Sequence, residues 1–562
     1  MGGHQGFLET HRRWLIGGLL AGLLLAGILA FKDYGIAWDE PVQRQYGSEV
    51  YEYVVHHDQA LFLNRHRYYG PVFEMALYSL EKAFALTDTR SIYMMRHLVN
   101  FLVLWAGACF FFLLVRYLFR SWKVGLLGSV LLILSPRIFA HGFYNTKDTP
   151  FLSVFIAAVY TMLRCLDAKT IRAAAVHGAV CGILIATRIM GIMLPALTVT
   201  LWGYDLLRGN AGGAAAGAAD GVSVGRARGW AAGARRIGGS LVAYVLVLAG
   251  VTVLLWPTLW RDPFRNFVRV FEGMRNFPWE APVLYLGKYV WSTKLPWHYT
   301  PVWIGISTPL VYIVLFGVGL VACALSWGRR GQGRFPLLRR DVVVVLGWFF
   351  LPLIYFMASR AVLYDEWRHS FFIYPAFLLI ALTGLVWLWR LAHGGEHAGR
   401  QDGSHCGSRA GLRGGPRGAF RRIAPAVLIF GVALGLGSTA TFMIRHHPFE
   451  NVFFNSLAGG VKGAGGKFEM DYWGLSYRKG LEYILAADGS PEIPVFAATA
   501  PGRYNADILK PEDRRRLVFV TEVAKARYCV TNFRWESRKF RPESEIFSVK
   551  IDGVELMAVY KL

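Results

Sequence analysis

Residues 14–31 read WLIGGLLAGLLLAGILAF, eighteen residues without a charged side chain. A helix rises about 1.5 Å per residue, so an apolar helix of about 20 residues crosses the hydrocarbon core of a bilayer. Arg12 and Arg13 come directly before this stretch, and the acidic pair Asp39-Glu40 follows it. No small-residue cleavage site ends the run. It therefore predicts a membrane-spanning helix and not a cleaved signal peptide.

Ten further apolar runs follow in the chain. Of the 562 residues, 54% are hydrophobic and only 17% are charged, against about 25% charged in an average soluble protein. We therefore predict a polytopic α-helical membrane protein with about eleven transmembrane helices. The predicted spans are residues 14–31, 98–115, 124–139, 150–163, 173–187, 189–206, 239–256, 302–327, 342–358, 370–389 and 423–444.

The excess positive charge predicts the orientation of these spans. With a cytoplasmic N-terminus, six segments face the inside, and they hold 25 Lys or Arg against five Asp or Glu. That excess accounts for most of the net charge of +24, whereas the first outside loop, 32–91, is slightly acidic. Such asymmetry is the positive-inside signal, so nucleic acid is not needed to explain the basic balance. We expect a multi-pass inner (plasma) membrane protein with its C-terminus and active site extracytoplasmic.

The chain is predicted to divide at residue 444. Residues 1–444 form the transmembrane domain, in which two inside segments, 207–238 and 391–422, are rich in Gly and Arg and read as flexible linkers. Residues 445–562 form a small extracytoplasmic α/β or α+β domain. Its predicted elements are a helix at 477–485 and strands at 495–498, 517–520, 527–531 and 554–560.

Ionisable residues crowd the outside ends of the spans and are nearly absent at mid-membrane. A transporter usually places such groups near the midplane, so the outer rim is the candidate site. Carboxylates beside several cations suit a hydroxyl nucleophile, whose proton a carboxylate takes, and an anionic leaving group. Aromatic residues there suit either a sugar face or the membrane interface. The clusters lie at 38–41, 64–71, 141–150, 187–188 and 364–369.

Short motifs in these clusters resemble the GT-C superfamily of integral membrane glycosyltransferases, in particular bacterial family 39, related to protein O-mannosyltransferases and to the aminoarabinose transferases of lipid A. The resemblance covers roughly the first 390 residues. It rests on the acidic pair Asp39-Glu40, on Arg67-Tyr68-Tyr69-Gly70-Pro71, on Lys147-Asp148-Thr149-Pro150 and on the run from Arg368 to Pro375. The tail motif Asp471-Tyr472-Trp473-Gly474 is similar to one in uncharacterised bacterial members.

This resemblance implies an inverting transfer of a sugar from a polyprenyl-phosphate-linked donor to a hydroxyl acceptor outside the membrane. Asp39 would be the general base, with Glu40 beside it, and Asp148 would organise the site. A divalent metal held by Asp39 and Asp148 is a further possibility. Arg67 would bind the donor phosphate, and Lys147, Arg188 and Arg368 are further phosphate candidates from their positions. The candidates for the substrate pocket are Tyr68, Tyr69, Tyr144, Asn145 and His369.

Two other functions remain open on the sequence. A transporter or flippase of lipid-linked sugars would also need arginines at the rim, but it predicts a matching half-repeat and polar residues within the spans. A membrane-anchored scaffold would leave the Asp39, Asp148 and Arg67 clusters without a role. The expected partners are the lipid-linked sugar donor, a lipid, glycan or protein acceptor, and the bilayer, with no nucleic acid.

Overall fold

The fold is described here from a computed structural model, which covers residues 9–207, 223–275, 279–327, 336–359, 361–393, 416–535 and 542–562. Of the two predicted linkers, 207–238 and 391–422, residues 208–222 and 394–415 lie outside the described residues. Residues 223–238 and 416–422 belong to the helices Ser223–Leu254 and Pro416–His446, so these parts are helical rather than flexible linker. The protein is a mainly helical membrane protein with a small sheet near its C-terminus. The longer helices are Arg12–Ala30, Glu40–His56, Val72–Ala83, Thr89–Phe119, Trp122–Ile133, Pro136–Tyr144, Asp148–Ala168, Ile171–Thr187, Met193–Leu207, Ser223–Leu254, Pro263–Arg275, Tyr299–Ser307, Leu310–Trp327, Arg339–Ser359, Tyr374–His393, Pro416–His446 and Tyr477–Ala487.

Side-chain caps fix where several helices begin. Asp88 accepts a hydrogen bond from Ser91 N at 3.1 Å, and Thr170 accepts one from Ala173 N at 3.3 Å. Such caps satisfy amide groups that have no partner within the first turn of a helix. These caps therefore fix the first residues of the helices Thr89–Phe119 and Ile171–Thr187.

Each predicted apolar run lies on helical structure, but the number of spans is not settled by helix length. Within the described residues, six helices are long and apolar enough to cross a membrane, or up to eight if each of two bent pairs is one span. Three further apolar helices are shorter than 18 residues: Ile171–Thr187, Ile189–Tyr204 and Gly238–Leu254. The protein is thus a multi-pass membrane protein, and the count of eleven remains a prediction.

Two of the predicted runs are broken helices. The run 124–139 bends by 68° before Pro136, and the run 302–327 bends by 120° before the helix that follows Pro309. Proline lacks an amide donor and disfavours helical backbone at the preceding residue, so each break falls where the sequence places it. The first break is followed by the short helix Pro136–Tyr144, all of it buried, which leads to Asn145 and Asp148.

The C-terminal sheet agrees with the sequence prediction and adds one strand. The strands are β1 Pro282–Tyr285 and β2 Lys288–Trp291, which form a separate hairpin, then β3 Ile493–Ala497, β4 Leu517–Val520, β5 Tyr528–Thr531, β6 Glu545–Ile551 and β7 Val554–Lys561. The five strands of the C-terminal sheet have the order β4-β3-β5-β7-β6, with β3 parallel to β4 and β5, and β7 antiparallel to β5 and β6. The additional strand is β6, which pairs with β7 across the turn at Asp552 and Gly553.

The helix Tyr477–Ala487 covers one face of this sheet. Its buried residues Leu481 and Ile484 pack against Val495, Val530 and Val559. Burying such side chains contributes roughly 1.5 to 3 kcal/mol each relative to exposure. The sheet unit therefore has its own apolar core.

The C-terminal segment is attached to the loop that follows the first span. Asn505 donates to Ile36 O at 3.0 Å and accepts from Ile36 N at 2.9 Å, while Trp38 N donates to Trp473 O at 3.1 Å. Arg478 adds hydrogen bonds to the carbonyls of Lys32 and Tyr34 at 2.6 and 2.9 Å. These contacts hold the backbone directly before Asp39.

Candidate active site at the rim of the spans

Arg368 is the centre of the candidate site. Its Nη1 lies 3.3 Å from Asp148 Oδ2 and 3.6 Å from Asp39 Oδ2, and its Nη2 lies 3.2 Å from Asp365 Oδ2. The guanidinium also packs near the rings of Tyr364 and Trp473, at 4.9 and 4.8 Å from their centroids. One buried cation thus joins residues from three segments that are far apart in the sequence.

Asp148 is held in place by a hydrogen bond and by ion pairs with two arginines. It begins the helix Asp148–Ala168, where the helix dipole favours a negative charge. Its Oδ2 accepts from Asn145 Nδ2 at 3.0 Å, and Arg188 Nη1 binds its Oδ1. Its side chain is only 1% exposed. Asp148 therefore anchors the cations and has little freedom to exchange a proton with a substrate.

Asp39 is the accessible carboxylate of the cluster. Its side chain is 32% exposed, and its Oδ2 lies 3.4 Å from Lys147 Nζ. Burial alone would raise the pKa of Asp39, but Lys147, Arg368 and Arg534 outweigh this effect and lower it. Asp39 is therefore a charged carboxylate at neutral pH, open to a ligand and flanked by cations.

The phosphate candidates Lys147 and Arg188 lie in the same cluster. Lys147 Nζ stands 4.6 Å above the ring centroid of Tyr69 while it faces Asp39. Burial lowers the pKa of Arg188 to about 10, which leaves it protonated at neutral pH. The same environment raises the pKa of Tyr69 to about 12, with burial as the main cause. The structure thus brings Asp39, Asp148, Lys147, Arg188, Arg368 and Tyr69 together.

The prediction for Glu40 needs correction. Its carboxylate is buried, with Oε1 3.1 Å from His97 Nε2 and Oε2 accepting from Ala37 N at 2.7 Å. Consecutive helical residues point about 100° apart, so Glu40 faces the helix Thr89–Phe119 while Asp39 faces the rim. Glu40 holds the start of its own helix and does not reach the carboxylate cluster.

Arg67 is also displaced from its predicted role. Its guanidinium donates to the carbonyl of Phe62 and to Tyr68 Oη, the latter at 3.0 Å, and these are its partners among the described residues. Tyr68 packs against the cluster of Trp256, Leu259 and Val270. Arg67 and Tyr68 therefore stabilise the loop 59–70 and lie outside the carboxylate cluster.

The remaining pocket candidates fall on different sides of the cluster. Asn145 bridges Asp148 and His141 Nδ1, the latter at 2.9 Å, and so positions the anchor. Tyr144 is buried against Trp473, with ring centroids 5.7 Å apart, and its hydroxyl has no partner among the described residues. The His369 ring contacts Tyr364 edge to face at 4.7 Å. Asn145 and His369 belong to the candidate site, while Tyr144 packs beside it against Trp473.

A second buried network lies beneath this cluster, and the sequence analysis assigned it no role. Glu366 binds Arg137 Nη1, lies 3.2 Å from His141 Nε2 and accepts from Tyr472 Oη at 2.9 Å. Burial opposes ionisation of Glu366, but Arg137 and His141 lower its pKa. Glu366 therefore locks the segment 364–369 to the helix Pro136–Tyr144 and to the tail.

Asp365 and Glu366 both have left-handed backbone, with φ of 53° and 60°. Such conformations are costly for residues other than glycine and persist where the surroundings enforce them, often at functional sites. Here they turn the two adjacent carboxylates to opposite partners, Asp365 to Arg368 and Glu366 to Arg137.

The residues do not fit a divalent metal at Asp39 and Asp148. The described residues contain no group of three or more His, Cys, Asp or Glu side chains that could hold one. Both carboxylates face Arg368, and a metal ion there would be placed against a guanidinium. The negative charge of Asp39 and Asp148 is compensated by Arg188, Arg368 and Lys147.

Neither a protein-family model nor a curated protein matches this sequence. Solved structures similar to this chain include ArnT from Cupriavidus metallidurans in the apo state, at 14% identity and a TM-score of 0.48 over 98% of both chains. The same protein bound to undecaprenyl phosphate gives a TM-score of 0.47 at 14% identity over 98% of both chains. The oligosaccharyltransferase of Archaeoglobus fulgidus in the apo form is 9% identical, with a TM-score of 0.47, over 92% of this chain and 70% of that one. Values this low assign neither a family nor a function.

Proposed function

We propose that the protein is a glycosyltransferase that moves a sugar from a polyprenyl-phosphate-linked donor to a hydroxyl acceptor at the extracytoplasmic face. The observation that carries this proposal is the meeting of Asp39 and Asp148 on Arg368. Lys147 and Arg188 stand beside them at the outer ends of the spans. The class of donor and the role of Asp39 as general base come from the motif resemblance, and the short distances among these side chains support them.

The charges of the cluster suit a phosphate that leaves as an anion. The four cations Lys147, Arg188, Arg368 and Arg534 face the three carboxylates Asp39, Asp148 and Asp365. One positive charge is left over. Guanidinium groups bind phosphate oxygens through two parallel hydrogen bonds, and these bonds are stronger where water is excluded. Because the site lies at the rim of the spans, the lipid tail of the donor can remain in the bilayer.

In this mechanism Asp39 accepts the proton of the acceptor hydroxyl as its oxygen attacks the anomeric carbon. The bond between that carbon and the phosphate oxygen breaks, and the phosphate leaves with the electron pair, stabilised by Arg368, Arg188 and Lys147. Attack from the face opposite the phosphate inverts the anomeric centre. The ion pairs of Asp39 are 3.4 and 3.6 Å long, so a phosphate that draws Lys147 and Arg368 away makes Asp39 more basic.

We propose that the N-terminus lies in the cytoplasm. Residues 445–562 then lie outside the membrane, as a domain that covers the site. The positive charge of the inside segments supports this orientation. Glu40 and Arg67 lie outside the carboxylate cluster and have no part in this mechanism.

Mass spectrometry of envelope glycans and glycolipids tests the function. A strain that lacks the gene should lose a glycosylated product and regain it with the wild-type protein. Proteoliposomes with a fluorescent lipid-linked sugar, without acceptor, provide the contrast, since a flippase would scramble the lipid there. Scrambling with no change in any envelope product would overturn the proposal.

A further inference from the structure

Arg534 extends from the C-terminal sheet unit into the candidate site. It follows β5 and lies 166 residues after Arg368 in the sequence. Its Nη2 lies 2.6 Å from Asp365 Oδ1, and its Nη1 donates to Tyr472 O at 2.6 Å. Its side chain is only 6% exposed. A buried guanidinium that makes two short hydrogen bonds has little freedom to move.

The same guanidinium packs against two tryptophans. Its carbon stands 5.2 Å from the ring centroid of Trp38 and 4.7 Å from that of Trp535, and the two rings are 5.7 Å apart. Trp38 directly precedes Asp39 in the chain. Arg534 therefore contacts Trp38, the residue next to Asp39, through its guanidinium face. It also contacts Asp365, the carboxylate that binds Arg368, through its Nη2.

The backbone on both sides of this ion pair is in the left-handed region. Phe533 and Trp535, which flank Arg534, have φ of 58° and 64°, and Asp365 has φ of 53°. Arrangements of this kind cost about 1 to 3 kcal/mol for each residue, so the surrounding contacts must enforce them. The left-handed residues therefore lie at or next to the two partners of the Arg534–Asp365 ion pair.

We propose that Arg534 is a positioning residue for the transfer reaction. By holding Asp365 and Trp38 it sets Arg368 and Asp39 at the separation that the donor phosphate and the acceptor hydroxyl require. This inference rests on the proposed function and makes the C-terminal unit a part of the active site. Arg534 acts through Asp365 on Arg368 and does not itself touch the reacting atoms.

The test uses the full-length protein in nanodiscs with undecaprenyl monophosphate as the probe, and tryptophan fluorescence to follow binding. The variants are Arg534→Met, Asp365→Asn and the double variant. Arg527→Met is the matched control, because Arg527 lies on the same sheet unit but pairs with Asp488 at the surface. A hydrogen bond to a charged group is worth about tenfold to a hundredfold in an equilibrium constant, so we expect 10- to 100-fold weaker binding for each single variant.

The double variant distinguishes positioning from separate stabilisation. If Arg534 works through Asp365, the double variant binds no more weakly than either single variant, and Arg534→Lys, which keeps the charge, restores part of the affinity. Unchanged binding in Arg534→Met, or losses that multiply in the double variant, would overturn the inference. If Arg534→Met fails to fold, Arg534→Lys and Asp365→Asn decide it, since wild-type binding by both contradicts it.

These outcomes are separable from failure of the proposed function. A wild-type protein that binds the probe through Arg534 but changes no envelope product would remove the glycosyltransferase and leave Arg534 as a positioning residue for phosphate binding. A wild-type protein that makes the product equally well with Arg534→Met would remove the positioning role alone.

Discussion

Arg368 Nη1 lies 3.3 Å from Asp148 Oδ2, and both side chains are almost entirely buried. Removing one partner of a buried ion pair leaves a charge without compensation, which costs more than the pair contributes when intact. The same guanidinium lies 3.6 Å from the more exposed Asp39. Arg368 therefore stabilises the buried ion pairs of the cluster and also contacts Asp39, the proposed general base.

Replacing Arg368 with methionine should lower transfer strongly. One preorganised donor to a developing anion is worth about 10² to 10³ in rate, so the product in complemented cells should fall by that order. Arg340→Met is the matched control, because Arg340 also pairs with two acids, Asp167 and Asp341, at the opposite end of the spans. Equal product from both variants would contradict a role for Arg368 in transfer.

Asp148→Asn should destabilise the protein as well as inactivate it. The change leaves Arg188 without its carboxylate partner in a buried site, at a cost of about 3 kcal/mol. Thermal unfolding in detergent should show a lower Tm than for the wild type. A variant that keeps the wild-type Tm would show that Asp148 is not the anchor of the cations.

Glu40→Gln should affect stability and spare the chemistry. The variant weakens the contact with His97 while leaving Asp39 and its cations in place. We expect a lower Tm but wild-type transfer per folded molecule, measured as product against the amount of protein in the membrane. Loss of transfer at unchanged Tm would restore Glu40 to the catalytic residues.

A chelator should not abolish transfer. Asp39 and Asp148 face Arg368, so the reaction should continue in membranes treated with EDTA. The measurement is product formation before and after treatment, with added Mn²⁺ or Mg²⁺ as the comparison. Activity that vanishes with EDTA and returns with one of these ions would contradict the account of the site.

Stability should fall as the pH rises through the range in which Glu469 loses its proton. Burial, helped by Asp365 and opposed by Arg534, raises the pKa of Glu469 to about 8 from an ordinary value near 4.5. Between these two values the folded protein holds a proton that the unfolded chain has released, so folding is progressively less favoured toward alkaline pH.

Glu469→Gln removes this proton exchange, so its Tm should vary less than that of the wild type between pH 5 and about 8. Glu522→Gln changes an exposed acid in the same unit and should behave as the wild type. Identical pH profiles for Glu469→Gln and the wild type would show that Glu469 is ionised in the folded protein.

The sequence was sufficient to predict the residues whose positions follow from the spans. The predicted topology puts five residues, each near an apolar run, on one side, and the structure brings them into one cluster: Asp39, Lys147, Asp148, Arg188 and Arg368. The strands of the tail could be predicted because short apolar stretches alternate with turns. β6 was missed, because its polar residues and partial burial give a weak pattern.

The errors arise where local direction decides the contact. Glu40 is next to Asp39, but one helical step turns it to another partner, and Arg67 folds back on its own loop. The contact of Arg534 with Asp365 joins residues 169 positions apart and leaves no periodic signal. Asp365 and Glu366 stood in a recognised cluster, but their left-handed backbone, which separates their roles, is visible only in the structure.

The most direct test of the central claim compares Asp39→Asn with the wild type in cells that lack the endogenous gene. Mass spectrometry of the envelope glycolipids and glycans measures the product, and Glu52→Gln, a change in the helix Glu40–His56 away from the cluster, is the control. A general base contributes about 10² to 10⁴ in rate, so Asp39→Asn should lose the product at normal protein abundance while Glu52→Gln retains it. Full product from Asp39→Asn at the same abundance would contradict the assignment of Asp39 as the base.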